Sequence, residues 1–460
     1  MTTRAASRPV LGAVVGALLL AGCSGQGTEP EPETTTPGPD AVVVAPEVTI
    51  PQTRAGTATQ WVLDQLAAPE GPAAEEVAER FEERFREQVP DEDLAAVFDQ
   101  LRASGPFTVE GYSGTEDDAQ LPLAGPVDRF VLHLGTQPDG RMSVLFFEIA
   151  EPVPEVTSLD DLDAALAGLP AETSVLVAEV DDGTCRPLLA RDADVVRPIG
   201  SIVKLYVLDA VRYAVADGEL GWQDTLTLTD DLRSLPSGTL QGEPTGTEVT
   251  VEDAAAALIA ISDNTATDLL IDAVGRPAVL AAAERLGHHD PDLLTPLITT
   301  REMFQLGFTE RELRRRWAAA DDAERQALLD GLPGGDVVID QARAADVVWD
   351  DDLDWFATAE DLCRAHVGLQ EETAELEAVR GMLAANPGIE VPAGWEHVAF
   401  KGGSSTGEMA GSWYLEHEDG RQIVVVVQIA GEDIASVPDA GWMVDVVAQA
   451  VEVLGEEGGQ

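Results

Sequence analysis

Lysine is nearly absent from this sequence. Of its 28 Lys plus Arg residues only Lys204 and Lys401 are lysine, so almost every cationic position has gone to arginine. Positive charge as a whole is scarce, and 84 Asp plus Glu leave a formal net charge of -56. That deficit speaks against nucleic acid as a partner, because holding a phosphate backbone takes a basic surface. It equally opposes adsorption to anionic lipid and reads as a solvated acidic surface that favours solubility. Metal motifs are missing too. The six histidines include no H-E-x-x-H and there is no C-x-x-C, so neither a metal nor another cofactor is expected, and the adjacent His288 and His289 read as a loop or helix end. Cysteine is limited to Cys23, Cys185 and Cys363.

The amino terminus reads as a targeting segment rather than structure. Residues 1–22 carry Arg4 and Arg8 ahead of the apolar run "LGAVVGALLLAG", the layout of a secretory signal and too short for a membrane span. The run ends in "LAGC", Leu20 to Cys23, which resembles a bacterial lipobox and implies that Cys23 is lipidated and anchors the chain outside the cell membrane. Residues 23–55, rich in Pro, Thr and Glu, then form a tether. An extracytoplasmic location permits a disulfide between Cys185 and Cys363, and two buried free thiols fit the same residues.

Two domains are expected beyond the tether. Residues 56–156 read as a small α+β cup: helical spacing in "AAEEVAERFEERFREQV", then strand-like runs joined through the turn "QPDG". It shows no acid/base pair and is expected to scaffold. Residues 157–460 are a larger α+β domain, with strand patterns at both ends and a mostly helical middle. Such a pattern implies one antiparallel sheet built from the two ends of the domain, packed on an all-helical lobe, with a crevice between them.

Chemistry gathers around the two lysines. Lys204 sits in "RPIGSIVKLYVLDAV", apolar on every helical face, so its ammonium faces burial, which is expensive without partners. Ser201 lies three residues before it, and i, i+3 spacing at a helix start puts hydroxyl beside amine. A lysine in low dielectric has a lowered pKa and can take a serine proton, whereas arginine cannot. "ISDNTATDLL" places Ser262, Asp263 and Asn264 at a helix-opening turn. "FKGGSSTG" places Lys401 near a strand end before Gly402 and Gly403, where a ligand can approach the backbone.

The order S-x-x-K, S-D-N, K-G-G resembles the signature set of class A β-lactamases and penicillin-binding proteins. The resemblance covers residues 157–460 and implies a role for each match. Ser201 is the acylated nucleophile and Lys204 its base; Ser262 relays a proton to the leaving group. Asn264 holds Lys204 and the substrate amide, and Lys401 tunes Ser262 and draws a substrate carboxylate. The N–H of Ser201 and one near Gly403 and Ser404 form the oxyanion hole. One feature departs from the pattern: no E-x-x-L-N loop supplies the deacylating glutamate. Residues 288–355 form instead a long charged insertion, in which Glu302, Glu310, Asp340 and Asp354 are candidates with nothing to choose among them. The whole layout resembles the actinobacterial LpqF-type lipoproteins and the β-lactamase-like protein of clavulanic acid gene clusters, which pair a steroid-isomerase-like (NTF2-like) domain with a serine hydrolase domain. It implies an esterase as readily as a lactamase, acting on an ester, a β-lactam or a peptidoglycan-like amide. The alternative is a lipoprotein that keeps the fold to bind a cell-envelope ligand without turnover.

Overall fold

The computed structural model describes residues 42–45, 48–126, 129–150, 153–340, 343–370 and 376–457. The leader, Cys23 and most of the tether lie outside the described residues. The chain divides into two compact units, Met1–Pro152 and Val153–Gln460.

The first unit runs β1 (Val42–Val44), α1 (Arg54–Ala67), α2 (Ala74–Arg80), α3 (Glu83–Gln88), α4 (Asp91–Ser104), β2 (Phe107–Val109), β3 (Ser113–Gly114), β4 (Asp118–Ala124), β5 (Arg129–Thr136) and β6 (Met142–Ala150). Thr53 starts α1 by accepting the Gly56 N–H through its side chain. Strand order is β1-β2-β4-β5-β6, with β3 on β4. Alternation along β5 turns Phe130, Leu132 and Leu134 to one buried face, where they share a core with Trp61 and Phe98 from the helices and Phe81 from the link between α2 and α3.

The second unit runs α5 (Leu159–Ala167), β7 (Glu172–Asp181), β8 (Thr184–Arg191), β9 (Arg197–Pro198), α6 (Lys204–Ala216), β10 (Thr225–Thr227), β11 (Glu248–Thr250), α7 (Val251–Ala260), α8 (Asn264–Val274), α9 (Arg276–Arg285), α10 (Thr300–Phe308), α11 (Arg311–Ala318), α12 (Asp322–Leu329), β12 (Phe356–Ala357), α13 (Ala359–Leu369), α14 (Glu377–Leu383), β13 (Trp395–Ser405), β14 (Glu408–His417), β15 (Gln422–Ala430) and α15 (Ala440–Glu457). Its main sheet has the order β13-β14-β15-β7-β8, antiparallel throughout. As the strand patterns implied, it is assembled from both ends of the domain.

The near-continuous apolar run of β15 follows from burial on both faces. Val424 and Val426 enter the core shared with α6 and α13, whereas Ile423, Val425, Val427 and Ile429 enter the one shared with α5 and α15. The sheet is thus a middle layer, and α6, buried over Lys204–Val211, is the centre of the helical lobe.

Two points refine the sequence reading. Cys185 on β8 and Cys363 on α13 form a disulfide, their Cα atoms 6.5 Å apart. Within the charged insertion, the stretch "LRRRWAAADDAERQALLDGL" forms two helices, α11 and α12. Asp321 and Glu324 close a capping box that starts α12 afresh, and this local hydrogen bonding interrupts the helical run. No helix among the described residues is long and apolar enough to cross a membrane.

Candidate active site

Ser201 stands on a tight turn that precedes the α-helix. Gly200 has φ +47, which few side-chain-bearing residues adopt, and residues Gly200–Val203 form a 3₁₀ turn before α6 begins at Lys204. The expected α-helical first turn is therefore 3₁₀. Side chains three apart eclipse in that geometry, so Ser201 and Lys204 still share a face.

Lys204 is fully buried, yet its amine is well partnered. Its Nζ lies 2.6 Å from the Ser262 carbonyl, 2.7 Å from Asn264 Oδ1 and 3.0 Å from Ser262 Oγ. Its hydrogen bonds thus go to the turn at 262–264 rather than to Ser201. That turn is held firmly. Asp263 caps α8 through the Ala266 N–H and accepts the N–H groups of Thr239 and Leu240 at 2.6 and 2.9 Å. Asn264 donates to Leu235 O, and Ser262 takes φ +53.

Lys401 reaches the same hydroxyl from β13. Its Nζ donates to Ser262 Oγ at 3.0 Å and to Gly402 O at 2.6 Å. Burial pushes the Lys204 amine down to about 7, against the upward pull of the Asp268 and Asp263 charges. Burial, then the Lys204 charge, pushes Lys401 well below its ordinary value. The Lys401 backbone is itself braced: its carbonyl accepts the Ser412 hydroxyl, which in turn accepts the His366 Nε2–H. Burial lowers His366 to about 4, so this ring stays neutral at ordinary pH.

β13 presses on the Ser201 turn. A Cβ added to Gly403 would fall 2.6 Å from Ser201 N and collide with the Ile199 carbonyl; one on Gly200 would fall 2.9 Å from Ser404 N. The Ser201 and Ser404 N–H groups thus lie on adjoining backbone, the arrangement an oxyanion needs. Gly403→Ala should drive the two segments apart, costing about 1–3 kcal/mol in overpacking. Its kcat should fall by roughly 10²-fold with the fold kept, as measured by ester kinetics alongside a thermal melt. A wild-type kcat in this variant would show that the close approach is not needed.

A cavity of about 40 Å³ opens at Ser201, walled by Asn264, Phe304, Asp354, Trp355 and Ser404. It has room for a few ordered waters beside the Ser201 turn. Of the four acids left open by the sequence, Asp354 alone lines it. Glu302 is bound by Arg276 at 2.7 Å, Glu310 precedes α11, and the Asp340 N–H is tied to Phe308 O. Burial pushes the Asp354 carboxyl up to about 6.

His288 and His289 follow the end of α9, where a loop or helix end was expected. With Asp361 they bring potential ligand atoms within 4.8 Å of one another. Both ring nitrogens of His288 are already engaged, Nε2 with Phe356 O and Nδ1 with Asp290 N–H, and His289 Nδ1 bonds Asp361. The cluster is a clasp between α9 and α13. Two acids escaped the sequence reading: Asp268, buried beneath Lys204, and Glu408, buried at the start of β14. Glu408 was visible only as a carboxylate opening the otherwise apolar "EMAGSWYL".

Residues 158–343 match the family described as "Beta-lactamase enzyme family", and residues 50–142 match "ORF 12 gene product N-terminal". No curated protein matches the chain. Among solved structures it is similar to a β-lactamase from Sphaerobacter thermophilus, at 23% identity and TM-score 0.46, over 64% of this chain and 96% of that one. It is also similar to a β-lactamase from Chitinophaga pinensis, at 16% identity and TM-score 0.46, over 65% and 98%. Similarity to PBP-A, at 16% and TM-score 0.45, spans 67% and 98%. The family match, over residues 158–343, falls on the unit in which S-x-x-K, S-D-N and K-G-G meet, so it is this unit, and not the whole chain, that is tied to the β-lactamase enzyme family.

Proposed function

We propose that the protein is an extracytoplasmic, lipid-anchored serine acyl hydrolase that works through an acyl-enzyme on Ser201. The observation that carries this reading is the single hydroxyl of Ser262 held 3.0 Å from both Lys204 Nζ and Lys401 Nζ. Neutral Lys204 has two N–H groups and one lone pair. Its two shortest contacts, the Ser262 and Asn264 carbonyl oxygens, use the N–H groups, and this leaves the lone pair for the hydroxyl side. That hydroxyl is Ser262 Oγ, and the role of Lys204 as base for Ser201 follows from the face the two residues share on the 3₁₀ turn. Ser262 then passes a proton to the leaving group, and Lys401 draws an anionic substrate end. The N–H groups of Ser201 and Ser404 receive the oxyanion.

Substrates are esters, β-lactams or peptidoglycan-like amides, small molecules or cell-wall material rather than nucleic acid. Lipidation at Cys23 supplies the anchor, and the disulfide fits an oxidising compartment. Incubating the soluble form, Ser24 onward, with a fluorescent penicillin and a chromogenic ester should give an intact-mass adduct in wild type and none in Ser201→Ala. Lack of reaction at Ser201 with either probe would favour a lipoprotein that binds a cell-envelope ligand without turnover.

A further inference from the structure

Two acids outside the three motifs converge on the nucleophile turn. The Gly200 N–H donates to Asp354 Oδ1 at 2.8 Å, and the position of a Cβ on Gly200 lies 2.6 Å from Glu408 Oε1. The same Asp354 oxygen accepts the Trp355 N–H at 2.7 Å. The other, Oδ2, lies 3.4 Å from the hydroxyl of Ser405, which is the register partner of Glu408 across the β13–β14 hairpin. We propose that Asp354 and Glu408 form a carboxyl pair sharing one proton, and that it positions the Gly200–Ser201 turn and the oxyanion-binding N–H groups. The positioning role rests on the acyl-enzyme reading above; the shared proton does not.

Neither acid has a counter-ion among the described residues, although Asp354 is 6% and Glu408 1% exposed. The charged groups that line the neighbouring cleft with Asp354 are Asp292, Asp322, Asp352 and Arg325, and Arg325 is bonded to Asp352 at 2.7 Å. On the catalytic side, Lys204 and Lys401 spend their N–H groups on Ser262, Asn264 and Gly402. Two unpaired buried carboxylates would be costly, so one must hold a proton. Backbone donors select which one. Asp354 accepts two N–H groups at 2.7 and 2.8 Å, which favours its anion, whereas Glu408 has only the weaker pull of the Ser405 hydroxyl and N–H, neither in good hydrogen-bonding geometry.

Burial and charge act in the same direction as the geometry. Burial, then the Asp354 charge, pushes Glu408 well above its ordinary value, while burial takes Asp354 only to about 6. At neutral pH the pair therefore holds one proton, on Glu408, with Asp354 ionised and gripping Gly200. That proton limits the pair to one negative charge beside the place where an oxyanion must form.

Infrared spectra of the soluble chain in D₂O test the pair directly. Wild type and Ser201→Ala should show a protonated-carboxyl band at neutral pH that shifts on ¹³C-glutamate labelling and is missing from Glu408→Gln. In Asp354→Asn the band should titrate away at lower pH, because the neighbouring charge is gone. With p-nitrophenyl acetate, Asp354→Asn should acylate about tenfold more slowly at unchanged KM, less than the roughly 10²–10³-fold of deleting an oxyanion donor. A wild type without a glutamate-labelled band refutes the pair, whether or not either variant folds. A band together with wild-type acylation in Asp354→Asn refutes the positioning role. Failure of wild type itself to acylate at Ser201 counts against the proposed function, and the positioning role falls with it; the band still decides the shared proton.

Discussion

Replacing Lys204 by methionine should slow Ser201 acylation by about 10³-fold, within the range for losing a general base, while the helical lobe stays folded. Methionine keeps the length and apolar stem of the side chain in a position that is fully buried. What it loses is the lone pair. In wild type the amine is lowered from 10.5 to about 7, so acylation should rise with pH through about 7 as the base becomes available. Stability follows the same group with a sign that can be worked out. The unfolded chain keeps its ammonium to about 10.5, so between about 7 and 10.5 it binds more protons than the folded chain. Wild-type stability should therefore climb with pH across that window, and Lys204→Met should lose that share of the slope. Stopped-flow acylation against pH, paired with urea melts at each end of the window, reads both effects. A methionine variant that acylates within tenfold of wild type would remove Lys204 from the role of base.

What could be read from the sequence was what is local in the chain. Ser201 and Lys204 are three residues apart, and Ser262 and Asn264 two apart, so each motif carries its own geometry. Lys401 was visible through scarcity, one of two lysines kept in the chain. The sheet was legible because its apolar, β-branched runs bracket the helices from both ends of the domain. Asp354 was not, since its contact with Gly200 spans 154 residues and is made by a backbone N–H that no side-chain pattern reports. The cysteine pairing, across 178 residues, was equally out of reach of spacing arguments.

That pairing leads to the other large effect. Cys185→Ala with Cys363→Ala should destabilise the second unit by about 3–5 kcal/mol, because a crosslink over so long a loop removes much of the unfolded chain's freedom. For a domain of this size the shift corresponds to roughly 5–8 °C in Tm. The bond joins the edge strand β8 to α13, which packs on β7, β14 and β15, so opening it frees the sheet edge from the helical layer. The first unit contains neither cysteine, so its transition should stay put when the two units melt separately. Calorimetry with and without reductant distinguishes a shift confined to one transition from general loosening. Identical melting curves for wild type and the double variant would mean that the native packing already supplies the constraint. Ser201 acylation at 25 °C should persist in the variant, since the turn, Ser262 and Lys401 are held by hydrogen bonds that do not pass through either cysteine.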